Sequence, residues 1–226
     1  MTSSTELSAR IARVFGITEA TALLHMRIVR EAGILTQGGR GRSSARMTSR
    51  DAANLLIAVA GASAVKDSVK PLSYQAQTWV KHGTWEETLS VPELLALPLD
   101  HRFSDAVTAL VDSAVSGTLE DLASHLFGGP CDLTGDAAQP FVVNITIAEP
   151  QSDAFIEVVE LILDENGQTD VGERRRVQYG SRKKMPGGKL KYDPPLDIQT
   201  HGDLSHHHTF THRAIQEIGN LLRRTE

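Results

Sequence analysis

The spacing of apolar positions changes partway along this chain. Near the start it is helical: Leu7, Ile11, Val14 and Phe15 fall on one face over residues 5–15. Gly16 follows, where a tight turn can need a positive φ. Thr18 is a suitable N-cap for a second helix running to about Ala32, which Gly33 ends. Residues 34–36 then predict a short strand, "QGGRGRSS" a flexible basic hairpin tip, and residues 45–47 the returning strand. Thr48 and Asp51 have the spacing of a capping box, with Asp for the usual Glu, and open a buried helix over residues 52–60.

Residues 66–100 are irregular, cut by Pro71, Pro92 and Pro98, with a short helix ending near Leu97. Residues 103–116 predict a clearer helix, with Val107, Leu110, Val111 and Ala114 at core spacing. Gly117 stops it, and another helix runs from Thr118 to Phe127. After "GGPCDLTGDAAQP" the period becomes two. Phe141, Val143, Ile145 and Ile147 alternate with Val142, Asn144, Thr146 and Ala148, as in a strand. Residues 155–163 predict a second strand, paired antiparallel with the first across "EPQSD", and residues 174–179 a third. "GSRKKMPGGKLKYDPP" reads as a long basic loop, residues 196–201 and 205–210 as two more strands, and residues 211–224 as a closing helix. In that helix Ile215, Ile218 and Leu222 face inward. The expected class is α+β, in three parts: a helical unit with a hairpin at 1–62, a helical connecting or oligomerisation region at 63–136, and an α+β domain at 137–226, an antiparallel sheet with a terminal helix.

Composition narrows the function classes. With Cys131 as its single cysteine, the chain cannot form an internal disulfide, which fits a reducing cytoplasm. The longest apolar run, residues 55–64, falls well short of the roughly 18–20 residues of a membrane span. "MTSSTELSAR" lacks a charged-then-apolar leader pattern, so the expected location is cytoplasmic, with no membrane partner. The net charge of −5 conceals an asymmetry: residues 1–50 hold eight Lys and Arg against three Asp and Glu. Residues 51–170 hold four against 19, and residues 171–226 hold 11 against six. Contact with a polyanion is therefore expected at the two ends.

At the N-terminal end, "ARIARVFGITEATALLHMRIVREAGIL" carries Ala12 inside the first helix, Gly16 in the turn and Ile17 just after it. His25 and Met26 follow, then Arg30–Leu35 as Arg-Glu-Ala-Gly-Ile-Leu, and then the hairpin-like "TQGGRGRSSARM". In these features residues 5–60 resemble the winged helix-turn-helix DNA-binding family of bacterial and phage regulators. The resemblance implies that Thr18, Glu19, Ala20, Leu23, Leu24 and Arg27 face a major groove, with Arg40, Arg42 and Arg46 of the wing over the backbone or minor groove. Leu23 and Leu24 stand where such a helix usually shows polar groups. Either they meet thymine methyls, or protein covers them.

Elsewhere, Arg174, Arg175, Arg176, Arg182, Lys183, Lys184, Lys189 and Lys191 form a second candidate basic surface that can follow phosphates. It can equally be a solvated loop, or meet the acidic middle of a neighbouring copy. "HGDLSHHHTFTH" holds His201, His206, His207, His208 and His212; His206 and His208, with His212, are candidate metal ligands. No spaced Cys/His framework accompanies them, and a polar, exposed strand is the preferred interpretation. No nucleophile motif or phosphate-binding loop occurs, so neither an enzyme nor a cofactor is expected. The chain is expected to bind double-stranded DNA as a homo-dimer or larger oligomer, as a transcriptional regulator of a bacterium or phage. A phage-type DNA packaging or recognition subunit is the first alternative, and a metal-dependent protein using the histidines the second.

Overall fold

A computed structural model describes residues 2–37, 46–135, 138–149, 153–163, 169–184, 190–192 and 206–224. The chain begins with α1 (Ser4–Phe15), started by a capping box. The Ser3 side chain accepts from the Glu6 N–H, and the Ser3 N–H donates to Glu6 Oε2 at 2.7 Å. Gly16 ends the helix at φ 64°, a left-handed conformation that a side chain would strain. The Ile17 N–H then reaches back to the Ala12 carbonyl at 3.0 Å. Thr18 accepts from the Thr21 N–H and starts α2 (Glu19–Glu31), as the sequence predicts. Leu7, Ile11 and Ala12 of the first helix are buried with Ala22, Met26 and Val29 of the second.

The expected strands of a wing are not formed at residues 34–36 or 46–47. Their backbone donors go elsewhere: the Thr36 N–H to Asp51 Oδ1 at 2.8 Å, and the Met47 N–H to the Thr2 carbonyl at 3.0 Å. The hairpin tip between them, with Arg40 and Arg42, lies outside the described residues, as does Ala45. α3 (Ser49–Gly61) begins at the anticipated Thr48–Asp51 capping box. Asp51 is 2% exposed because its two carboxylate oxygens hold both the α3 N-terminus and the segment after α2.

The middle of the chain holds the short helices α4 (Lys70–Ser73), α5 (Trp85–Thr88) and α6 (Pro92–Leu95), then α7 (Phe103–Ser116) and α8 (Thr118–Phe127). Within the stretch expected to be irregular it also holds an unexpected strand. β1 (Trp79–His82) joins the sheet of the C-terminal part. That sheet continues with β2 (Phe141–Glu149), β3 (Asp153–Leu163), β4 (Thr169–Gly180) and, after β5 (Arg182–Lys184) and β6 (Leu190–Tyr192), β7 (His206–Thr211). Its order is β1-β4-β3-β2-β7 with every neighbouring pair antiparallel. β5 and β6 pair as a hairpin where a long basic loop is expected. The strand expected at 196–201 falls outside the described residues. The last helix, α9 (His212–Arg223), buries Ile215, Ile218 and Leu222 as anticipated.

Residues opposite each other in the ladder share a face, so pairing sorts the sheet into two sides. Phe141, Val143, Ile145 and Ile147 of β2, Ala154, Ile156 and Val158 of β3, Val177 and Tyr179 of β4, and Phe210 of β7 form the buried side. α3, α7 and α9 supply the apolar layer over it. α9 crosses α7 very closely: a Cβ on Gly219 would lie 2.4 Å from the Ala114 Cβ, so only glycine fits there. Glu217 of α9 binds Arg10 and, at 2.6 Å, Arg13 of α1. Among the described residues one apolar core therefore runs from α1 to α9.

Candidate functional site

The inward stripe of α2 is fixed by Ala22, His25, Met26 and Val29. His25 is buried, its Nδ1 2.8 Å from Ser68 Oγ, and that burial lowers its pKa. This contact clamps α2 to residues 65–68, and local periodicity carries no sign of a partner 43 residues away. The stripe leaves Thr18, Glu19, Ala20, Leu23, Leu24 and Arg27, the residues expected to face a groove, exposed on the outside. Leu23 is 42% and Leu24 50% exposed, and nothing among the described residues covers them. Thr18 uses its hydroxyl to cap the helix and to contact Thr21 Oγ1 at 2.8 Å. Arg27 pairs with Glu31 one turn on, at 2.7 Å. With Glu19, Glu31, Arg27 and Arg30 all exposed, the outward charge of the helix is balanced. Arg46 is exposed beside the α3 N-terminus.

The second basic segment is not a single surface. Strand alternation sends Arg174 and Arg176 to the outer side of the sheet, opposite Val159 and Glu157, and Arg175 to the inner side opposite Val158. Arg175 binds Glu173 at 2.6 Å. Arg176 binds Glu157 Oε1 through Nη2 at 2.6 Å and Nε at 3.2 Å, and stacks 4.3 Å from the Phe155 ring centroid. Arg182 donates to the Val80 carbonyl at 2.8 Å and lies 5.3 Å from the Trp79 ring, holding the β1 edge. Lys183 and Lys191 oppose each other in the β5–β6 hairpin beside Lys184, whereas Lys189 is outside the described residues.

The histidine cluster divides in the same way. His206 and His208 share one side of β7, with ring centroids 6.5 Å apart, while His207 takes the other side near Phe155. His212 cannot join them as a ligand, a correction to its candidacy, because both its nitrogens are used. Nδ1 accepts from the Val143 N–H at 3.1 Å, and Nε2 lies 2.8 Å from Gln139 Oε1. Burial, helped by the Arg213 charge, lowers its pKa to about 4. His201 is outside the described residues. Among the described residues no group of three or more His, Cys, Asp or Glu is placed to hold a metal ion.

No protein-family model, curated protein or solved structure matches the chain. Its function therefore has to follow from the geometry of α2, the sheet and their charged side chains.

Proposed function

We propose that the chain binds double-stranded DNA through α2 and the residues that follow it, and acts as an oligomeric transcriptional regulator. The observation that carries this is the position of α2. It is the second helix of a tight-turned pair, held from behind by α1, α3 and the His25–Ser68 contact, with its outer face open. A helix of 13 residues spans about 20 Å at 1.5 Å per residue, enough to lie along a major groove. Arg27 is the base or phosphate contact of that helix, and Arg46, with Arg40 and Arg42 of the segment outside the described residues, is assigned to phosphates. One short helix discriminates few base pairs, so two or more copies on repeated half-sites are required.

A second reading, sequence-indifferent DNA handling by a packaging subunit, is favoured by one feature. The exposed face of α2 offers two leucines and a self-paired arginine where polar base contacts are usual. Unbiased DNA-site selection with the full-length protein separates the two. A repeated or palindromic motif is the expected result. Salt-sensitive binding to any DNA, without a motif, establishes handling instead. No salt-sensitive binding removes both.

A further inference from the structure

On the helix-covered side of the sheet, the end near Phe141 is left partly open. A cavity of about 290 Å³ lies there between α5, α8 and strands β2, β3 and β4. Its floor is apolar, with the buried Leu89 and Val158, and Leu126 of α8 stands exposed at its wall. Its polar lining is mostly anionic: Glu86, Glu87, Glu160 and Glu173 surround a single cation, Arg175. Arg175 is taken by Glu173 at 2.6 Å, and the charges of Glu160 and Glu87 also act on it. Glu86, Glu87 and Glu160 form no ion pair among the described residues. A second cavity toward Gly83 shares Glu87, Glu173 and Arg175 with it and adds Arg176, so the carboxylate excess is confined to the first.

An apolar floor under an unbalanced ring of carboxylates selects between ligand classes. An anion is repelled, and a neutral hydrocarbon leaves the carboxylate field unused. A bare metal ion finds no convergent set of ligands. A cation with a hydrocarbon body satisfies both halves of the lining: its methylenes cover Leu89 and Val158 while its charge meets the carboxylates. At ~30 Å³ per water the cavity takes on the order of ten non-hydrogen atoms. We infer that this cleft is a binding site for a small organic ammonium ion with a short aliphatic body. The site stands apart from α2, and the inference does not depend on DNA binding.

The test uses the full-length protein and n-hexylammonium chloride, with hexanol and sodium hexanoate as neutral and anionic matches at equal ionic strength. Calorimetric titration is expected to show saturable binding of hexylammonium alone. The Glu87→Gln, Glu160→Gln double variant should weaken it by roughly tenfold or more. Both side chains are solvent-facing, so the variant should keep its wild-type thermal transition, which is checked in parallel. Equal binding of hexanol overturns the cationic class. Undiminished binding in the double variant places the amine elsewhere. Failure of hexylammonium to bind overturns the site. If the double variant also changes particle size, a basic segment of a second copy occupies the cleft instead.

Discussion

Arg27 on α2 and Arg176 on β4 make the same bond at nearly the same length, 2.7 and 2.6 Å to a glutamate oxygen, and are held very differently. The Arg27–Glu31 side chains are 73% and 61% exposed, so water can replace either partner and the pair is worth little. The partner of Arg176, Glu157, has a side chain only 11% exposed, and the guanidinium also covers Phe155. A carboxylate so placed cannot give up its cation without a cost. The difference teaches that burial of the partner, rather than the density of arginines, decides which of them is available to a phosphate. By that criterion Arg176 is the less available arginine and Arg27 the more, while Arg175, whose partner Glu173 is 61% exposed, is held no more tightly than Arg27. His212 extends the contrast: it is held no less firmly than Arg176, by backbone and amide partners rather than by charge.

The largest effect expected of this contrast is on acid stability. His212 has a folded pKa of about 4, below its ordinary 6.5. As pH falls from 6.5 toward 4 the unfolded chain takes the proton first. The stability contributed by the neutral imidazole is thus complete above about pH 6.5 and lost on the way down. A gap of that size corresponds to about 3 kcal/mol. His25 and His101, both lowered mainly by burial, act in the same direction. Urea unfolding at pH 7 and pH 4 measures the total. In His212→Leu the starting stability should be lower and the pH slope shallower. An NMR titration in which His212 takes its proton near pH 6.5 would contradict the lock.

The next effect concerns the open side of the comparison. Leu23→Ser and Leu24→Ser remove exposed apolar area from α2. If Leu24 meets a thymine methyl, the variant keeps its fold and assembly and loses discrimination at one or two base positions, by ~1–3 kcal/mol each. If protein covers Leu23, its variant loses thermal stability or particle size, and any affinity lost is lost for all sequences alike. The expected pattern is the first for Leu24 and the second for Leu23. Wild-type behaviour of both variants in all three measurements removes α2 as the reading helix.

Much of this architecture could be read directly from the chain. The helices at 4–31 and 49–61, the α7–α8 pair, the β2–β3 hairpin and the closing helix announce themselves through period, caps and glycines, which are local signals. What escaped was non-local. β1 has only four residues amid prolines, and its strand identity rests on β4, about 100 residues away. The expected wing strands failed because Asp51 and Thr2 satisfy their donors, a competition invisible to β-propensity. The outward set on α2 followed from the inward one, since a buried stripe defines its opposite face. The acid-rimmed cleft gave no signal, because Glu87, Glu160 and Glu173 sit in three different elements or their margins and meet only in the fold.

The smallest effect is the most direct test of the comparison, because it sets the two arginines against each other in one pair of assays. Arg176→Ala leaves Glu157 without its cation and Phe155 uncovered. Since Arg176 is itself 51% exposed, water recovers part of the loss, and the expected cost is about 1–2 kcal/mol of folding stability. Its DNA binding should keep the wild-type salt dependence. Arg27→Ala should leave the unfolding midpoint unchanged, because its pair lies in solvent. If Arg27 meets one phosphate, the log–log salt slope of DNA binding falls by roughly 0.9. The two variants thus exchange their effects: one moves stability and spares the slope, the other does the reverse. If Arg176→Ala flattens the slope and Arg27→Ala does not, DNA lies against the outer side of the sheet. The lock at Glu157 would then be one that a phosphate can open, and burial of the partner would not be what keeps an arginine from DNA.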